Sequence, residues 1–204
     1  GVSKFLFGTV WKPLEDRFGI RPMRIGRIYV TAGAIIIGVP IGLLCAVFLA
    51  KFCPKHLYKF LKPAVDLLAG IPSIVYGFFG LVVIVPAMQN IFGGSGKSVL
   101  TASVMLGIMI LPTIRSVAES ALRAVPKNYY EGSLARGATH ERSTFKATLP
   151  AAKSGITAGV ILGIGRAIGE AMAVNMVAGN QAVIPTSIFS GVRTLTSNIV
   201  LEMG

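Results

Sequence analysis

Charged residues are scarce in this sequence of 204 residues, and acidic residues are the scarcest. Asp, Glu, Lys and Arg together make up 14% of the chain, against roughly a quarter in soluble domains. There are 8 acidic residues against 20 Lys and Arg, and 53% of the residues are apolar. This shortage of charge argues against a soluble domain and favours lipid as the main solvent.

Two cysteines and two histidines leave little material for metal or redox chemistry. Cys45 and Cys53 have no companion at metal-ligand spacing, and two cysteines give no disulfide framework. His56 and His140 lie in separate basic links without a carboxylate cluster, so we interpret both as solvated loop histidines. The sequence therefore predicts no catalytic residue, no metal, no cofactor bound by this chain and no enzyme activity of its own.

Nucleotide and nucleic-acid binding are excluded on similar grounds. Gly94-Ser95-Gly96-Lys97-Ser98 resembles a phosphate-binding loop, but position 91, where that motif requires its first glycine, is Ile. A net charge of +12 would favour nucleic acid in a soluble domain. Here Lys and Arg concentrate at the ends of apolar segments and in the links, as the positive-inside rule expects. We predict no nucleic-acid partner.

The sequence instead contains long apolar runs. Ile28–Ala50 has 23 residues without a charge and Leu67–Gly96 has 30, and about 20 apolar residues are enough to cross a bilayer. The pattern predicts four transmembrane spans, at about 28–50, 67–91, 98–119 and 154–178.

The links between these spans give the orientation. The links at 51–66 and 120–153 lie on the same side because two spans separate them, and both are basic, which places them in the cytoplasm. Residues 1–27 then form an external interfacial segment. Their six Lys and Arg conflict with an outside location, but Glu15 and Asp16 lie nearby and Trp11 suits an interface. The abrupt start at Gly1 predicts a piece of a longer protein.

The link at 120–153, which we call the insert, carries a motif. Glu131-Gly132-Ser133 is followed four residues after Ser133 by Gly137 and later by Ala147-Thr148-Leu149-Pro150. This spacing resembles the EAA signature of ABC-importer permeases. A short helix, a glycine break and a second short helix would form a compact unit that fits a cleft of a partner, whereas the alternative is an ordinary loop ending at Pro150. The resemblance assigns the contact with an ATPase to Glu131, Gly132, Ser133, Gly137, Ala138, Thr139, Leu149 and Pro150.

Two further stretches, Ile71–Leu81 and Gly163–Val174, narrow the family. Together with the insert they resemble the phosphate-specific ABC importer permeases of the PstC type, over essentially the whole chain. The resemblance implies an all-α, polytopic transmembrane bundle of the type I ABC importer permease (MetI-like) fold. Family members usually have six spans, so the first and last are expected to be missing here.

The resemblance also implies the partners. These are a second permease subunit in a heterodimer, a cytoplasmic ATPase dimer that binds ATP-Mg, an external phosphate-binding protein, phosphate itself and the lipid of a bacterial inner membrane. Two alternatives stay open. The substrate could be sulfate, molybdate or another oxyanion, or the chain could be a membrane scaffold or channel without an ATPase.

Arg166 and Glu170 lie in the middle of the fourth predicted span. At 100° per residue they share a stripe about 80° wide with Gly155, Gly159, Gly163 and Ala173. A lone charge there costs roughly 2.5–3.5 kcal/mol, so the stripe must face protein or a water-filled path. Because small residues let another helix approach closely, we expect the partner subunit or the path against this stripe.

A purely structural pair remains an alternative for Arg166 and Glu170. The resemblance favours a substrate path, in which Arg166 contacts phosphate and Glu170 keeps the anion from binding too tightly. Arg115 and Glu119 repeat the four-residue spacing at the cytoplasmic end of the third span. We interpret them as an interfacial ion pair, where long side chains reach water easily.

Overall fold

The computed structural model describes residues 2–12 and 17–203, and these residues are mostly helical. The helices, in chain order, are α1 (Val2–Phe7), α2 (Arg21–Val47), α3 (Lys55–Gly70), α4 (Ser73–Phe79), α5 (Val85–Phe92), α6 (Val99–Ala124), α7 (Lys127–Ala135), α8 (His140–Ser143), α9 (Leu149–Ala151), α10 (Lys153–Gly169), α11 (Met172–Val177) and α12 (Leu195–Glu202). Three π-helical turns join or extend them, at Phe48–Phe52, Gly80–Ile84 and Thr144–Thr148. The all-α prediction is confirmed.

The predicted external segment, residues 1–27, contains α1, a short hairpin and the start of α2. Strands β1 (Trp11–Lys12) and β2 (Arg17–Phe18) pair antiparallel in the hairpin. Glu15 and Asp16, which we invoked to reconcile the charge of this segment, lie outside the described residues. Helix α2 begins at Arg21, several residues before the predicted start of the first span.

Within the described part of the chain, three helical segments are long and apolar enough to cross a membrane. They are Arg21–Phe52, Ser73–Phe92 and Val99–Ala124. A fourth crossing results if His140–Ala151 and Lys153–Gly169, which are bent by 72° relative to each other, count as one span.

Two helix breaks were not predicted from hydropathy. The second predicted span began at residue 67, but α3 ends at Gly70 and α4 begins at Ser73. Pro72 (φ −58°, ψ 143°) explains this break, because proline has no N–H to donate and disfavours helix at the residue before it. The fourth predicted span ran to residue 178, whereas α10 ends at Gly169.

The chain divides into two compact units, which we describe separately. The first unit comprises Gly1–Gly38, Ile71–Met109 and Arg166–Gly204, and the second comprises Val39–Gly70 and Ile110–Gly165. In the first unit α4 packs against α11. The loop before α12 closes the start of α6, where the N–H groups of Val99 and Leu100 donate to the carbonyls of Ser190 (3.0 Å) and Ile188 (2.9 Å).

The second unit has an apolar core between the end of α2, the end of α6 and the turn before α10. Its fully buried members are Ala46, Val47, Ala118, Leu122 and Ala152. Small residues dominate this core, so the helix backbones approach closely.

The glycine stripe of α10 packs on α6 of the same chain. A Cβ added at Gly159 would lie 3.1 Å from Val117 Cβ, and one added at Gly163 would lie 2.6 Å from Ile114 Cγ1. The predicted close helix approach is therefore present, but the neighbour of these glycines is α6. The expectation that a partner subunit or the path lies against them is wrong for this part of the stripe.

Candidate functional site

The first residues of the insert, 120–124, continue α6, so from here on the insert means residues 125–153. Its helices α7 and α8 are joined by a glycine turn. Helix α7 ends at Ala135, and Gly137 follows with a left-handed φ of +82°. The N–H of Gly137 donates to the carbonyl of Leu134 (2.8 Å) and that of Ala138 to the carbonyl of Ser133 (3.2 Å). This pair of bonds is a Schellman motif, which satisfies the last carbonyls of a helix and favours glycine at the turn. The predicted glycine break at residue 137 is therefore present.

Thr139 starts the second helix of the insert. Its hydroxyl accepts from the N–H of Arg142 (3.3 Å), which satisfies one of the free donors at the start of α8. The pKa of the exposed Glu141 carboxyl is lowered because the carboxylate accepts from its own backbone N–H and from the Thr139 hydroxyl.

Side-chain contacts hold the two helices of the insert together and to the end of α2. The hydroxyl of Ser143 donates to that of Ser133 (3.0 Å). His140 Nδ1 lies 2.6 Å from the Tyr130 hydroxyl, and His140 Nε2 lies 3.1 Å from the carbonyl of Lys51. Because a carbonyl can only accept, Nε2 donates and Nδ1 accepts from Tyr130.

His140 is therefore a bridge and not the solvated loop histidine that we predicted. Its ring also packs edge-on against Phe52, with the centroids 4.7 Å apart. His56, by contrast, is exposed at the start of α3, as expected.

The predicted ATPase contacts fall into two groups. Glu131, Gly132 and Pro150 are exposed and free to meet a partner. Ser133, Gly137, Ala138 and Thr139 shape the turn, and Leu149 packs on the apolar core of the second unit.

A basic cavity of about 640 Å³ opens beside the turn of the insert. Arg136, Arg142 and Lys146 line it, and none of its described lining residues is acidic. The insert therefore presents positive charge around the same turn that the motif predicted as a contact.

Glu170 does not lie on the helix that carries Arg166. Helix α10 ends at Gly169, Ala171 has φ −121° and ψ −52°, and α11 begins at Met172. Two glycines near the end, Gly165 and Gly169, weaken the helix here. The prediction that Arg166 and Glu170 lie four apart along one helix is therefore wrong.

The break is held by specific hydrogen bonds. Glu170 Oε1 accepts from the N–H of Ala173 (3.1 Å), at the start of α11. The Thr196 hydroxyl donates to the carbonyl of Glu170 (2.8 Å), and the Ser197 hydroxyl reaches the carbonyl of Ala171 (3.4 Å). A break inside a membrane is tolerated where such partners satisfy the freed backbone groups.

Arg166 is partly exposed near the end of α10. Its charge acts electrostatically on the buried Tyr76 of α4. Interrupted membrane helices contribute to the substrate site in many secondary transporters. The role of Arg166 in a substrate path stays a prediction.

Arg115 and Glu119 form the predicted ion pair, but they are buried, being 1% and 4% exposed, so the expectation that these side chains reach water is wrong. Arg115 Nη1 donates to Glu119 Oε2 (2.6 Å), and Nη2 donates to Asp66 of α3. Glu119 Oε1 accepts from Arg123 Nε (3.0 Å) and from the Tyr58 hydroxyl (2.7 Å). Sequence analysis missed Asp66 and Tyr58, although Asp66 is the one acidic residue in the sequence of α3.

Comparison with known proteins gives one consistent family. A family model described as "binding-protein-dependent transport system inner membrane component" matches residues 38–203. The probable ABC transporter permease protein YqgH of Bacillus subtilis is 42% identical over 100% of this chain and 68% of that protein. The phosphate transport system permease protein PstC of Mesorhizobium japonicum is 37% identical over 97% of this chain and 67% of that protein, and PstC of Pasteurella multocida is 34% identical over 97% and 68%.

Solved structures of ABC transporters have the same fold. An inward-facing MetNI methionine ABC transporter matches with a TM-score of 0.65 and 23% identity, over 95% of this chain and 90% of that chain. A second crystal form matches with a TM-score of 0.62 and 22% identity, over 92% and 81%. The predicted type I permease fold is confirmed.

Proposed function

Because the chain belongs to the family of binding-protein-dependent transport system inner membrane components, we propose that it is the permease subunit of an ATP-driven importer of inorganic phosphate. Relatives named as phosphate transport permeases, at 37% and 34% identity over 97% of the chain, support phosphate as the substrate. Sulfate and molybdate, like a scaffold or channel role, have no comparable support.

The main observation behind this proposal is the position of Arg166 in helix α10. It is the one charged residue of α10 after Lys153, and it stands three residues before the helix break. A guanidinium binds two phosphate oxygens through parallel hydrogen bonds. Arg115, which is buried in α6, donates to two carboxylates and is a poor anion ligand.

The insert would couple ATP hydrolysis by the partner to transport. The exposed Glu131 and Gly132 and the basic rim of the turn would meet a cytoplasmic ATPase dimer that binds ATP-Mg. A second permease subunit and an external phosphate-binding protein complete the proposed importer. This chain itself would bind no cofactor and catalyse no reaction.

Phosphate uptake by the assembled transporter in proteoliposomes tests the role of Arg166. Arg166→Gln should reduce uptake about 10- to 150-fold, because a charged hydrogen-bond partner contributes roughly 1.5–3 kcal/mol. Arg166→Lys keeps the charge but not the two-pronged geometry, so its uptake should lie between those of Arg166→Gln and the parent. Lys153→Gln, which removes an exposed cation from the same helix, is the matched control.

Undiminished uptake by an assembled Arg166→Gln transporter would rule out Arg166 as the anion contact. Competition by excess sulfate or molybdate in the parent transporter separates the substrates. Equal competition by either anion would contradict specificity for phosphate.

A further inference from the structure

The charge cluster around the buried Arg115 and Glu119 of the second unit is not explained by the proposed path. Its two outer members, Asp66 and Arg123, each have 45% of their side-chain surface exposed. Its four charges are Arg115, Arg123, Asp66 and Glu119, so its formal charge is zero. Each carboxylate accepts from at least one arginine. An incoming anion would have to displace two carboxylates from Arg115, so the cluster does not suit a binding site for phosphate.

The cluster instead attaches α3 to α6. None of the residues of α3, all of which the structure describes, is fully buried, and Phe60 and Leu67 are 78% and 72% exposed. Two polar contacts reach α6, from Tyr58 to Glu119 and from Asp66 to Arg115. These contacts lie eight residues apart on α3, about 12 Å along its axis, so they hold the helix at two separate points.

The same cluster reaches the π-helical turn at the end of α2. Arg123 Nη2 donates to the carbonyl of Leu49 (2.9 Å), and the Arg123 guanidinium lies 4.6 Å from the centre of the Tyr58 ring. Two residues further along this turn, the carbonyl of Lys51 accepts a hydrogen bond from His140 Nε2 of the insert. The turn Phe48–Phe52 is therefore contacted by the insert through Lys51 and by the charge cluster through Leu49.

We propose that Arg115 is a positioning residue for transport. Through its ion pair with Asp66 it holds α3 on α6, so that a displacement of the insert, passed to the turn Phe48–Phe52, moves α3 as well. This rests on the proposed function, in which the insert meets an ATPase.

Burial of Arg115 makes this geometry specific. The Arg115 side chain is 2% exposed, whereas that of Asp66 is 45% exposed. The guanidinium has therefore lost nearly all of its hydration and depends on Asp66 and Glu119 for compensation. The pair therefore favours one arrangement of α3 over slipped ones more than it strengthens the fold. Such a role predicts that Asp66 and Arg115 act as one unit.

Spin labels on the two helices test the attachment directly. The labels would be placed at Lys59→Cys and Ser120→Cys, both exposed positions of the second unit, in the assembled transporter with Cys45→Ser and Cys53→Ser. Pulsed electron paramagnetic resonance should give one narrow distance distribution, which Arg115→Gln or Asp66→Asn broadens. Lys55→Gln, which removes an exposed cation of α3, should leave it narrow. An unchanged distribution in Arg115→Gln overturns the proposal, and this measurement needs no substrate, so it stands even if the transported anion is not phosphate.

Transport coupling provides the second measurement. The number of phosphate ions taken up per ATP hydrolysed should fall about 2- to 30-fold in Arg115→Gln, the range expected for residues that modulate coupling between sites. Asp66→Asn should give a similar ratio, and the double variant should be no worse than either single one. A smaller amount of assembled transporter with an unchanged ratio would mean a merely structural role, and multiplicative effects in the double variant would mean that the two residues act separately. Either result overturns the proposal.

Discussion

Substitutions of Glu170 can separate its charge from its hydrogen bond. In the structure Glu170 Oε1 accepts from the N–H of Ala173, and Ala173 is fully buried. Glu170→Ala removes the acceptor and leaves that N–H without a partner, whereas Glu170→Gln keeps an acceptor oxygen and removes the charge. If the residue mainly holds the helix break, the glutamine variant should be the milder one.

The expected magnitudes follow from this one contact. An unsatisfied buried N–H costs about 1–3 kcal/mol, and a hydrogen bond to a charged acceptor exceeds one to a neutral acceptor by about 1 kcal/mol. Glu170→Ala should therefore ease local opening of α11 by about 2 kcal/mol, and Glu170→Gln by about 1 kcal/mol. These values correspond to amide exchange of α11 that is about 30-fold and about 5-fold faster, if exchange occurs through local opening.

Hydrogen–deuterium exchange of the peptide covering Met172–Val177 measures this difference. Thr196→Val should also accelerate exchange, because it removes the donor to the Glu170 carbonyl. Thr157→Val, at an exposed threonine of α10 whose hydroxyl donates to its own helix, should not. Equal acceleration by Glu170→Gln and Glu170→Ala would refute the capping argument and show that the charge itself is required.

Two further substitutions test the contacts of the second unit. His140→Phe keeps the ring beside Phe52 but loses two hydrogen bonds of about 1 kcal/mol each, so trypsin should cleave the insert about 10- to 30-fold faster. The control His56→Phe should leave the cleavage rate unchanged. Equal cleavage rates of the two variants would contradict the bridging role of His140. Gly163→Ala places a Cβ 2.6 Å from Ile114 Cγ1 and should destabilise the transporter in thermal unfolding by about 1–3 kcal/mol. Gly165→Ala, whose Cβ would meet no described atom within 4 Å, should be neutral or stabilising, and the opposite order would disprove the close approach of α10 and α6.

Hydropathy alone was enough to predict where the chain is apolar enough to cross a membrane, because runs of 23 and 30 uncharged residues leave few alternatives. The limits of the helices were less predictable. Pro72 interrupts an apolar run with little effect on its average hydropathy, and the break after Gly169 lies between Arg166 and Glu170 in a predicted span that has no other charge. Both signals were local, a proline and a pair of glycines, and an averaged hydropathy profile cannot register them.

The contacts of buried polar groups could not be predicted, because their partners are distant in sequence. Arg115 pairs with Asp66, 49 residues earlier, and His140 reaches a backbone carbonyl 89 residues earlier. Only the four-residue spacing of Arg115 and Glu119 was visible, and it favoured a pair along the helix surface. The motif of the insert was predictable for the opposite reason, since its glycine turn is stabilised by neighbours within five residues.

The glycine contacts change how movement of the insert can reach Arg166. Helix α10 begins directly after the insert, so the sequence alone suggests that α10 transmits a movement of the insert to Arg166 as one rigid helix. In the structure Gly155, Gly159 and Gly163 all lie against α6, and contacts this close leave α10 no room to slide without α6. Arg166 follows Gly163 by three residues, about 4.5 Å along the same helix. Helix α10 is therefore held on α6 up to Gly163, and α6 also carries Arg115 and Glu119, so the glycine contacts and the charge cluster depend on the same helix segment of the second unit.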